Sequence, residues 1–273
     1  MKNILTCLIP ALVQCCLLCS MADADDLPTI PTRQENFHLF LLAGQSNMAG
    51  RGEVSEDDRT PVPRVLMLNK ENQWVPAVDP LHYDRPKTIG TGLGKSFGIE
   101  ITKSNPDVTI GLIPCAVGGS PISAWKPGEY HPSTGMHPWD DCIRRTRIAM
   151  ESGTLKGILW HQGENDCHPE LSEAYETAFI DLVQRFRKEL NVSDVPFVIG
   201  QLGQFNKPRF PQNQHWQAVN SAHQSLPKKV PHTIFVSSEG LTDRDGIHFD
   251  SPSYREFGKR YAKAYFTLIQ PDQ

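Results

Sequence analysis

The segment Phe37-His38-Leu39-Phe40-Leu41-Leu42 runs directly into Ala43-Gly44-Gln45-Ser46-Asn47-Met48. A short apolar run that ends at a glycine is typical of a buried β-strand. A serine that follows such a strand lies at the open edge of a sheet, where a ligand can reach its hydroxyl group. The sequence around Ser46 therefore indicates an α/β fold and the edge of the sheet at which chemistry is expected.

Several further apolar runs, each bounded by Gly, Pro or Asn, resemble this first strand. They lie at residues 65–68, 108–113, 155–160, 197–202 and 233–236. The runs are nearly continuous rather than alternating, which is expected of strands that are covered on both faces. Residues 54–84, rich in Pro, Asp and Arg, are expected to form a long surface excursion around the second run.

Helical periodicity lies between several of these strands. The clearest apolar stripe, at steps of three and four residues, consists of Leu171, Tyr175, Phe179, Leu182, Phe186 and Leu190. Weaker patterns predict helices over residues 91–103, 136–150, 212–226 and 252–269. Pro138 is expected to interrupt the second of these, and Ser251 is expected to cap the last. Strands alternating with helices predict a parallel sheet with helices on both faces.

Segments with residue types that can take part in chemistry follow the carboxyl ends of four predicted strands. Ser46 follows the first, Gly118 and Gly119 follow the third, and residues 162–166 follow the fourth. Asp245 and His248 lie on a loop after the last predicted strand. Since ligands bind at the carboxyl ends of strands in such sheets, these segments are expected to share one rim.

Ser46, His248 and Asp245 have the residue types of a nucleophile, its base and the group that orients the base. A serine hydroxyl needs a base within hydrogen-bond reach, and that base needs a partner that fixes its tautomer. In the simpler alternative, Ser46 only caps a helix and Asp245-Gly246 only forms a turn. Taken separately, each residue is compatible with either interpretation.

Acyl transfer by a serine also needs hydrogen-bond donors for the negative charge that develops on the carbonyl oxygen. The backbone amides of Ser46 and Gly119 are the first candidates, because glycine lets the backbone approach a ligand closely. The side-chain amide of Gln162 or that of Asn165 is the third candidate, and the sequence leaves this choice open.

The composition is that of an ordinary soluble globular protein. The chain has 273 residues, of which 21% are charged and 39% hydrophobic, and its formal net charge is −4. An acidic chain has no electrostatic reason to bind nucleic acid or an anionic membrane. The histidines are scattered without the spacing of metal ligands, so neither a metal nor a cofactor is expected. The chain also lacks a G-x-S-x-G motif and a complete phosphate-binding loop.

The first residues resemble a signal peptide. Lys2 precedes an apolar stretch over residues 4–19, and small residues at Ala22 and Ala24 are typical of a cleavage site. We therefore expect a leader at residues 1–24, a single domain at 25–273 and secretion, with no integral membrane segment. Outside the leader, the cysteines are Cys115, Cys142 and Cys167, which allow at most one bridge. A sequon at Asn191-Val192-Ser193 is expected to be exposed and to make the secreted chain a glycoprotein.

Four blocks of this sequence resemble those of the SGNH-hydrolase superfamily. They are Gly44-Gln45-Ser46-Asn47-Met48, Gly118-Gly119, Trp160-His161-Gln162-Gly163-Glu164-Asn165-Asp166 and Asp245-Gly246-Ile247-His248. The likeness is greatest to carbohydrate esterase family 6, including the sialate O-acetylesterase-like domain of plant proteins. It implies a three-layer α/β/α sandwich with a flavodoxin-like parallel sheet and a metal-free serine hydrolase.

By matching position, the resemblance implies that Ser46 is the nucleophile, His248 the base and Asp245 its orienting carboxylate. Gly119 then contributes an oxyanion N–H, with either Gln162 or Asn165 as the side-chain donor. The expected reaction is removal of acetyl groups from a carbohydrate such as cell-wall xylan by an extracellular monomer. Two alternatives remain open: hydrolysis of a sialate, lipid or small-molecule ester on the same scaffold, and an inactive secreted glycan-binding protein.

The loops at residues 54–84 and 124–138 are expected to set substrate specificity. Within the second loop and just after it, Trp125, Tyr130 and Trp139 are candidates for stacking on sugar rings, or else for simple packing.

Overall fold

The computed structural model describes residues 30–205 and 214–270. The leader expected at residues 1–24 lies outside the described residues. The strands are β1 (Phe37–Gly44), β2 (Val65–Leu68), β3 (Trp74–Pro76), β4 (Thr109–Pro114), β5 (Thr154–His161), β6 (Phe197–Gly200) and β7 (Thr233–Val236). The longer helices are α3 (Gly94–Ser104), α4 (Pro138–Met150), α5 (Pro169–Leu190), α6 (Gln214–Ser225) and α7 (Ser251–Ile269). Two short helices, α1 (Ser46–Ala49) and α2 (Glu56–Arg59), follow β1.

The strands form one seven-stranded sheet in the order β3-β2-β4-β1-β5-β6-β7. Neighbouring strands run parallel, except that β3 pairs antiparallel with β2. Setting the β2–β3 hairpin aside, the order β4-β1-β5-β6-β7 is the flavodoxin-like arrangement. The predicted parallel sheet is confirmed, and the hairpin extends it beyond β4.

Helices cover both faces of the sheet, which confirms the expected three layers. On one face, α3 and α7 pack through Phe97 and Tyr265 onto Phe40 of β1. On the other face, α4, α5 and α6 pack around Trp160 of β5. Strand β1 is central and almost wholly buried, which explains why its sequence is apolar on both sides.

Strand β3 was missed by the sequence analysis, and residues 54–84 are not a surface excursion. Three half-buried residues, Trp74–Pro76, are too few to show a period. The segment also carries polar side chains that are buried in the structure, including Asp58, Asp79 and Asp84. Its Pro and Asp content reflects tight turns and buried hydrogen bonds rather than exposure.

Two predicted helix termini were wrong. Asp250, not Ser251, caps α7: its side chain accepts a hydrogen bond from the backbone N–H of Ser253 at 2.9 Å. Pro138 begins α4 rather than interrupting it, because proline fits the first helical turn, where no intrahelical N–H bond is lost. Residues 212 and 213 of the helix predicted over 212–226 lie outside the described residues.

Cys115, Cys142 and Cys167 are buried free thiols. Asn191 is exposed and ends α5 in the left-handed conformation, as expected for an accessible sequon. In the part of the chain that the structure describes, no helix combines the length and apolar character needed to cross a membrane.

Candidate active site

The end of β1 places Ser46 at the rim of the sheet. Gly44 has a φ of +135°, and a Cβ at this position would lie 2.1 Å from the carbonyl oxygen of His161, so only glycine fits. The backbone N–H of Gln45 then donates to that same carbonyl at 2.9 Å. Ser46 begins α1 at the carboxyl end of β1, where the strand order of the sheet reverses: β4 lies on one side of β1 and β5 on the other. Flavodoxin-like folds bind their ligands at this topological switch point.

The structure brings Ser46, His248 and Asp245 into one hydrogen-bonded line. His248 Nε2 lies 3.0 Å from Ser46 Oγ, although 202 positions separate the residues. On the other side of the ring, His248 Nδ1 lies 2.8 Å from Asp245 Oδ2. The alternative in which Ser46 only caps a helix does not hold, because Gln45 occupies the cap position of α1.

Asp245 is held as a carboxylate. Partial burial raises its pKa, but hydrogen bonds from the side chain and backbone of His248 outweigh burial and leave the pKa below its usual value. Its second oxygen, Oδ1, accepts from the backbone N–H of His248 at 2.9 Å and of Ile247 at 3.2 Å. An ionised Asp245 keeps the ring proton on Nδ1, which leaves Nε2 as the acceptor for the Ser46 hydroxyl proton.

Two backbone donors stand unpaired beside Ser46. Neither the Ser46 N–H nor the Gly119 N–H donates to any described residue, and both residues line the same cleft. The preceding Gly118 N–H donates at 2.7 Å to Asp84, whose carboxylate also accepts from Arg51 at 2.7 Å. This buried ion pair holds the loop that carries Gly119.

Of the two candidate side-chain amides, only Asn165 lines the cleft. Gln162 is fully buried, and its Nε2 donates to the Ser120 carbonyl at 3.1 Å and to Gln45 Oε1 at 3.3 Å. Its Oε1 accepts from Tyr175 at 3.0 Å, so Gln162 is occupied within the protein. Asn165 is exposed at the cleft, and its side chain bonds to no described residue.

The cleft has a volume of about 760 Å³ and carries excess positive charge. Arg85, Lys87 and Arg244 line it, and none of them forms an ion pair with a carboxylate in the described residues. The Arg85 guanidinium lies beside the Gly119 loop, since a Cβ on Gly119 would be 3.9 Å from Arg85 Nη2. The cleft is therefore cationic, although the whole chain is acidic.

The aromatic residues proposed for sugar stacking are not in the cleft. Trp125 and Trp139 are buried in the core, where Trp125 packs edge-on against Trp160 with ring centroids 5.0 Å apart. Tyr130 is exposed but does not line the cleft, whereas Trp216 does. The sequence analysis missed Trp216, because a tryptophan on a helix is usually read as core.

Sequence analysis also missed the residues that support the site. Gln45 and Asn47 flank the nucleophile, and Glu164 lies between the two candidate donors Gln162 and Asn165, but none of the three was assigned a role from the sequence. Their positions could have indicated a supporting role, because polar residues at the end of a buried strand usually have hydrogen-bond partners within the protein. Within residues 30–205 and 214–270, no group of three or more His, Cys, Asp or Glu side chains is arranged to hold a metal ion.

Comparison with known proteins identifies the family. The family model for carbohydrate esterases, described as sialic acid-specific acetylesterase, matches residues 36–267, a range that contains the whole site. The chain belongs to this family. The expected resemblance to SGNH-type carbohydrate esterases is thereby confirmed, and the chain is a carbohydrate acetylesterase by family.

Two relatives with curated names match most of the chain. A probable carbohydrate esterase of Arabidopsis thaliana is 28% identical over 91% of this chain and 97% of its own length. A probable 9-O-acetyl-N-acetylneuraminic acid deacetylase of Escherichia coli is 22% identical over 82% of this chain and 85% of its own. The solved structure of the Arabidopsis protein superposes with a TM-score of 0.74 at 27% identity, over 85% of this chain and 98% of that one.

Proposed function

We propose that this chain removes acetyl groups from an O-acetylated carbohydrate, with Ser46 as nucleophile, His248 as base and Asp245 as the orienting carboxylate. The observation that carries the proposal is the hydrogen-bonded line Ser46–His248–Asp245, at 3.0 and 2.8 Å, beside two unpaired backbone N–H groups. Nucleophile, base and oxyanion donors in one cleft are what acyl transfer requires.

In the first half-reaction, Ser46 Oγ attacks the acetyl carbonyl carbon while His248 Nε2 accepts the hydroxyl proton. The carbonyl π electrons move onto oxygen, which the N–H groups of Ser46 and Gly119 and the side-chain amide of Asn165 stabilise. When the intermediate collapses, the bond to the sugar oxygen breaks, and His248 donates its proton to that oxygen. The sugar leaves as an alcohol, and the acetyl group remains on Ser46.

In the second half-reaction, water takes the place of the serine. His248 accepts a proton from water as the water oxygen attacks the acetyl carbon, and it returns that proton to Ser46 Oγ as the ester bond breaks. Acetic acid is released and loses its remaining proton to solvent to become acetate, and both side chains regain their starting protonation. Asp245 stays ionised throughout and stabilises the imidazolium in each half-reaction.

Labelling with a fluorophosphonate tests this proposal against the inactive glycan-binding alternative. An activated serine reacts with such a probe, whereas an ordinary serine does not. We expect stoichiometric labelling that peptide mass spectrometry maps to Ser46, together with acetate release from an acetylated oligosaccharide. A purified, folded chain that bound acetylated glycans but neither took up the label nor released acetate would support the binding protein instead.

Two classes of acetylated sugar are candidate substrates. A neutral acetylated polysaccharide such as xylan remains one candidate. The cationic cleft favours a second, an acetylated sugar that carries a carboxylate, since Arg85, Lys87 and Arg244 have no carboxylate partner among the described residues. Fixed positive charge in a cleft concentrates anionic ligands and binds them best at low salt. The Escherichia coli relative is named for an ester of this acidic kind.

The Arg85→Gln variant distinguishes the two substrates. For an acetylated acidic sugar we expect kcat/KM to fall about 10- to 100-fold, the effect of one charge-assisted contact. For a neutral acetylated sugar we expect a change below about threefold on the same grounds. Initial rates at low and high salt give the measurement, and Arg144→Gln, at an exposed arginine outside the cleft, is the matched control. Equal losses on both substrates would mean that Arg85 supports the loop rather than binding the substrate.

We also propose that the leader at residues 1–24 directs the domain at 25–273 out of the cell, where it acts as a monomer, at the cell wall if the source is a plant. The exposed position of Asn191 supports glycosylation of the secreted chain.

A further inference from the structure

Asn47, the residue after Ser46, is fully buried and uses all of its hydrogen-bonding capacity. Its Nδ2 donates to the Ile247 carbonyl at 3.0 Å and to the carboxylate of Glu164. Its Oδ1 accepts from the Phe249 backbone N–H at 3.3 Å and from the Tyr254 hydroxyl at 2.7 Å. A buried amide with both donors and both acceptors satisfied has one orientation.

Two of these bonds go to the peptide groups on either side of His248. Asn47 therefore binds the loop at Ile247 and at Phe249. The imidazole of His248 lies between these two points and is directed at Ser46. Since Asn47 and Ser46 are consecutive in α1, one side chain ties the loop of the base to the helix of the nucleophile. When a change far from the reacting atoms displaces a catalytic group by about 1 Å, the rate can fall about 100-fold.

Glu164 fixes which way the Asn47 amide points. Its carboxyl group is buried, with Oε2 lacking any partner in the described residues and Oε1 accepting from Asn47. Burial raises the pKa of Glu164, and the hydrogen bond from Asn47 partly opposes this rise. A carboxylate oxygen at this point requires the NH₂ group of Asn47 to face it, which turns Oδ1 toward Phe249 and Tyr254.

We propose that Asn47 is a positioning residue, which holds His248 in register with Ser46, and that Glu164 sets the orientation of its amide. The inference rests on the proposed function, because it assumes that Ser46 and His248 react together. Asn47 touches no reacting atom.

The Asn47→Ala variant removes the hydrogen bonds to both peptide groups. We expect kcat for nitrophenyl acetate to fall about 100-fold while KM changes less than about threefold, because the cleft itself is unaltered. Thr233→Ala is the matched control. It removes a buried hydrogen bond, from Thr233 Oγ1 to the Val230 carbonyl at 2.7 Å, at the opposite end of the sheet. The control is expected to lower Tm and leave kcat unchanged.

The isosteric variant Asn47→Asp is tested by the pH dependence of its kcat, which would not change if the role of Asn47 were only structural. Two carboxyl groups then face each other, which raises the pKa of the pair. Below that pKa they share a proton and keep their hydrogen bond. Above it both are charged, they repel, and the loop shifts. The ratio of kcat in the variant to that in the wild type is therefore expected to fall about tenfold from pH 6 to pH 9.

Other titratable groups face this pair from neighbouring elements. They are His248 on the loop, His161 on β5, Asp166 and Cys167 after β5, Tyr175 on α5, and Tyr254 and Tyr261 on α7. All of them are present in both proteins, so their titration cancels in the ratio. The double variant Asn47→Asp, Glu164→Gln has no second carboxylate to repel the introduced one. Its kcat ratio to the wild type should therefore not fall between pH 6 and pH 9.

Each outcome decides the inference. Asn47→Ala with wild-type kcat, or a ratio for Asn47→Asp that is constant with pH, overturns it. If Asn47→Ala does not fold, the pH profile of the isosteric variant decides alone. Ser46→Ala separates the two levels: if it is inactive while the Asn47 variants are fully active, only this inference fails. If Ser46→Ala retains esterase activity, the proposed function itself fails.

Discussion

Replacing Ser46 with alanine is expected to lower kcat for acetyl esters by about five to six orders of magnitude. The variant keeps the oxyanion donors and the cleft but has no oxygen that can carry the acetyl group. Its residual rate reflects water attacking a bound, polarised ester. Initial rates of acetate release from an acetylated sugar and from nitrophenyl acetate provide the measurement.

The matched control for this experiment is Ser104→Ala, at the last residue of α3. It removes a serine hydroxyl that bonds only within its own helix, and its activity should equal that of the wild type. The Ser46 variant should keep the wild-type Tm within a few degrees, because its hydroxyl group fills no core position. Full esterase activity in Ser46→Ala would show that another nucleophile or a directly activated water performs the reaction.

Replacing His248 with alanine is expected to cost about as much as losing the serine, because the base and the nucleophile act as a unit. Without the imidazole, no group within reach accepts the Ser46 proton. The variant leaves a space beside Asp245, so added imidazole should restore part of the activity. The rescue should increase as pH rises through the pKa of free imidazole, since only the neutral ring accepts a proton.

Rates of the His248 variant with and without imidazole, between pH 5 and pH 8, provide this measurement. In the variant, the backbone N–H groups at positions 247 and 248 still donate to Asp245 and favour its ionised form, so the pH dependence of rescue reports the added base. Ser46→Ala is the control, since imidazole cannot restore a missing nucleophile. Equal rescue of both variants would mean that imidazole hydrolyses the ester by itself, without Ser46.

Much of the fold could be predicted because buried parallel strands have a strong local signature. The first strand was predicted at 37–42 and found at Phe37–Gly44, and the last was predicted at 233–236 and found at Thr233–Val236. The hairpin strand β3 was not predictable, because three half-buried residues at an edge carry neither a long apolar run nor an alternation. Helix termini shifted by a few residues, because capping depends on side-chain hydrogen bonds that no pattern shows.

The site was predictable in part. Ser46, Asp245 and His248 attracted attention as reactive residue types after strands, and the structure places them within hydrogen-bond distance. The choice between Gln162 and Asn165 could not be made, because the two lie three positions apart on one short turn. Only the buried partners of Gln162 show that its amide is occupied.

The sequence by itself determined the α/β class, the strands and the identity of the residues that carry the proposed chemistry, because apolar runs and residue types are local properties. The tertiary structure decided what depends on contacts between distant segments. Only folding brings β1 beside β5, sets the imidazole of His248 against Ser46 and closes the four bonds of Asn47 around that loop. The direction and burial of a side chain depend on residues that are distant in the sequence. A sequence pattern therefore identifies the reactive residues but not their geometry.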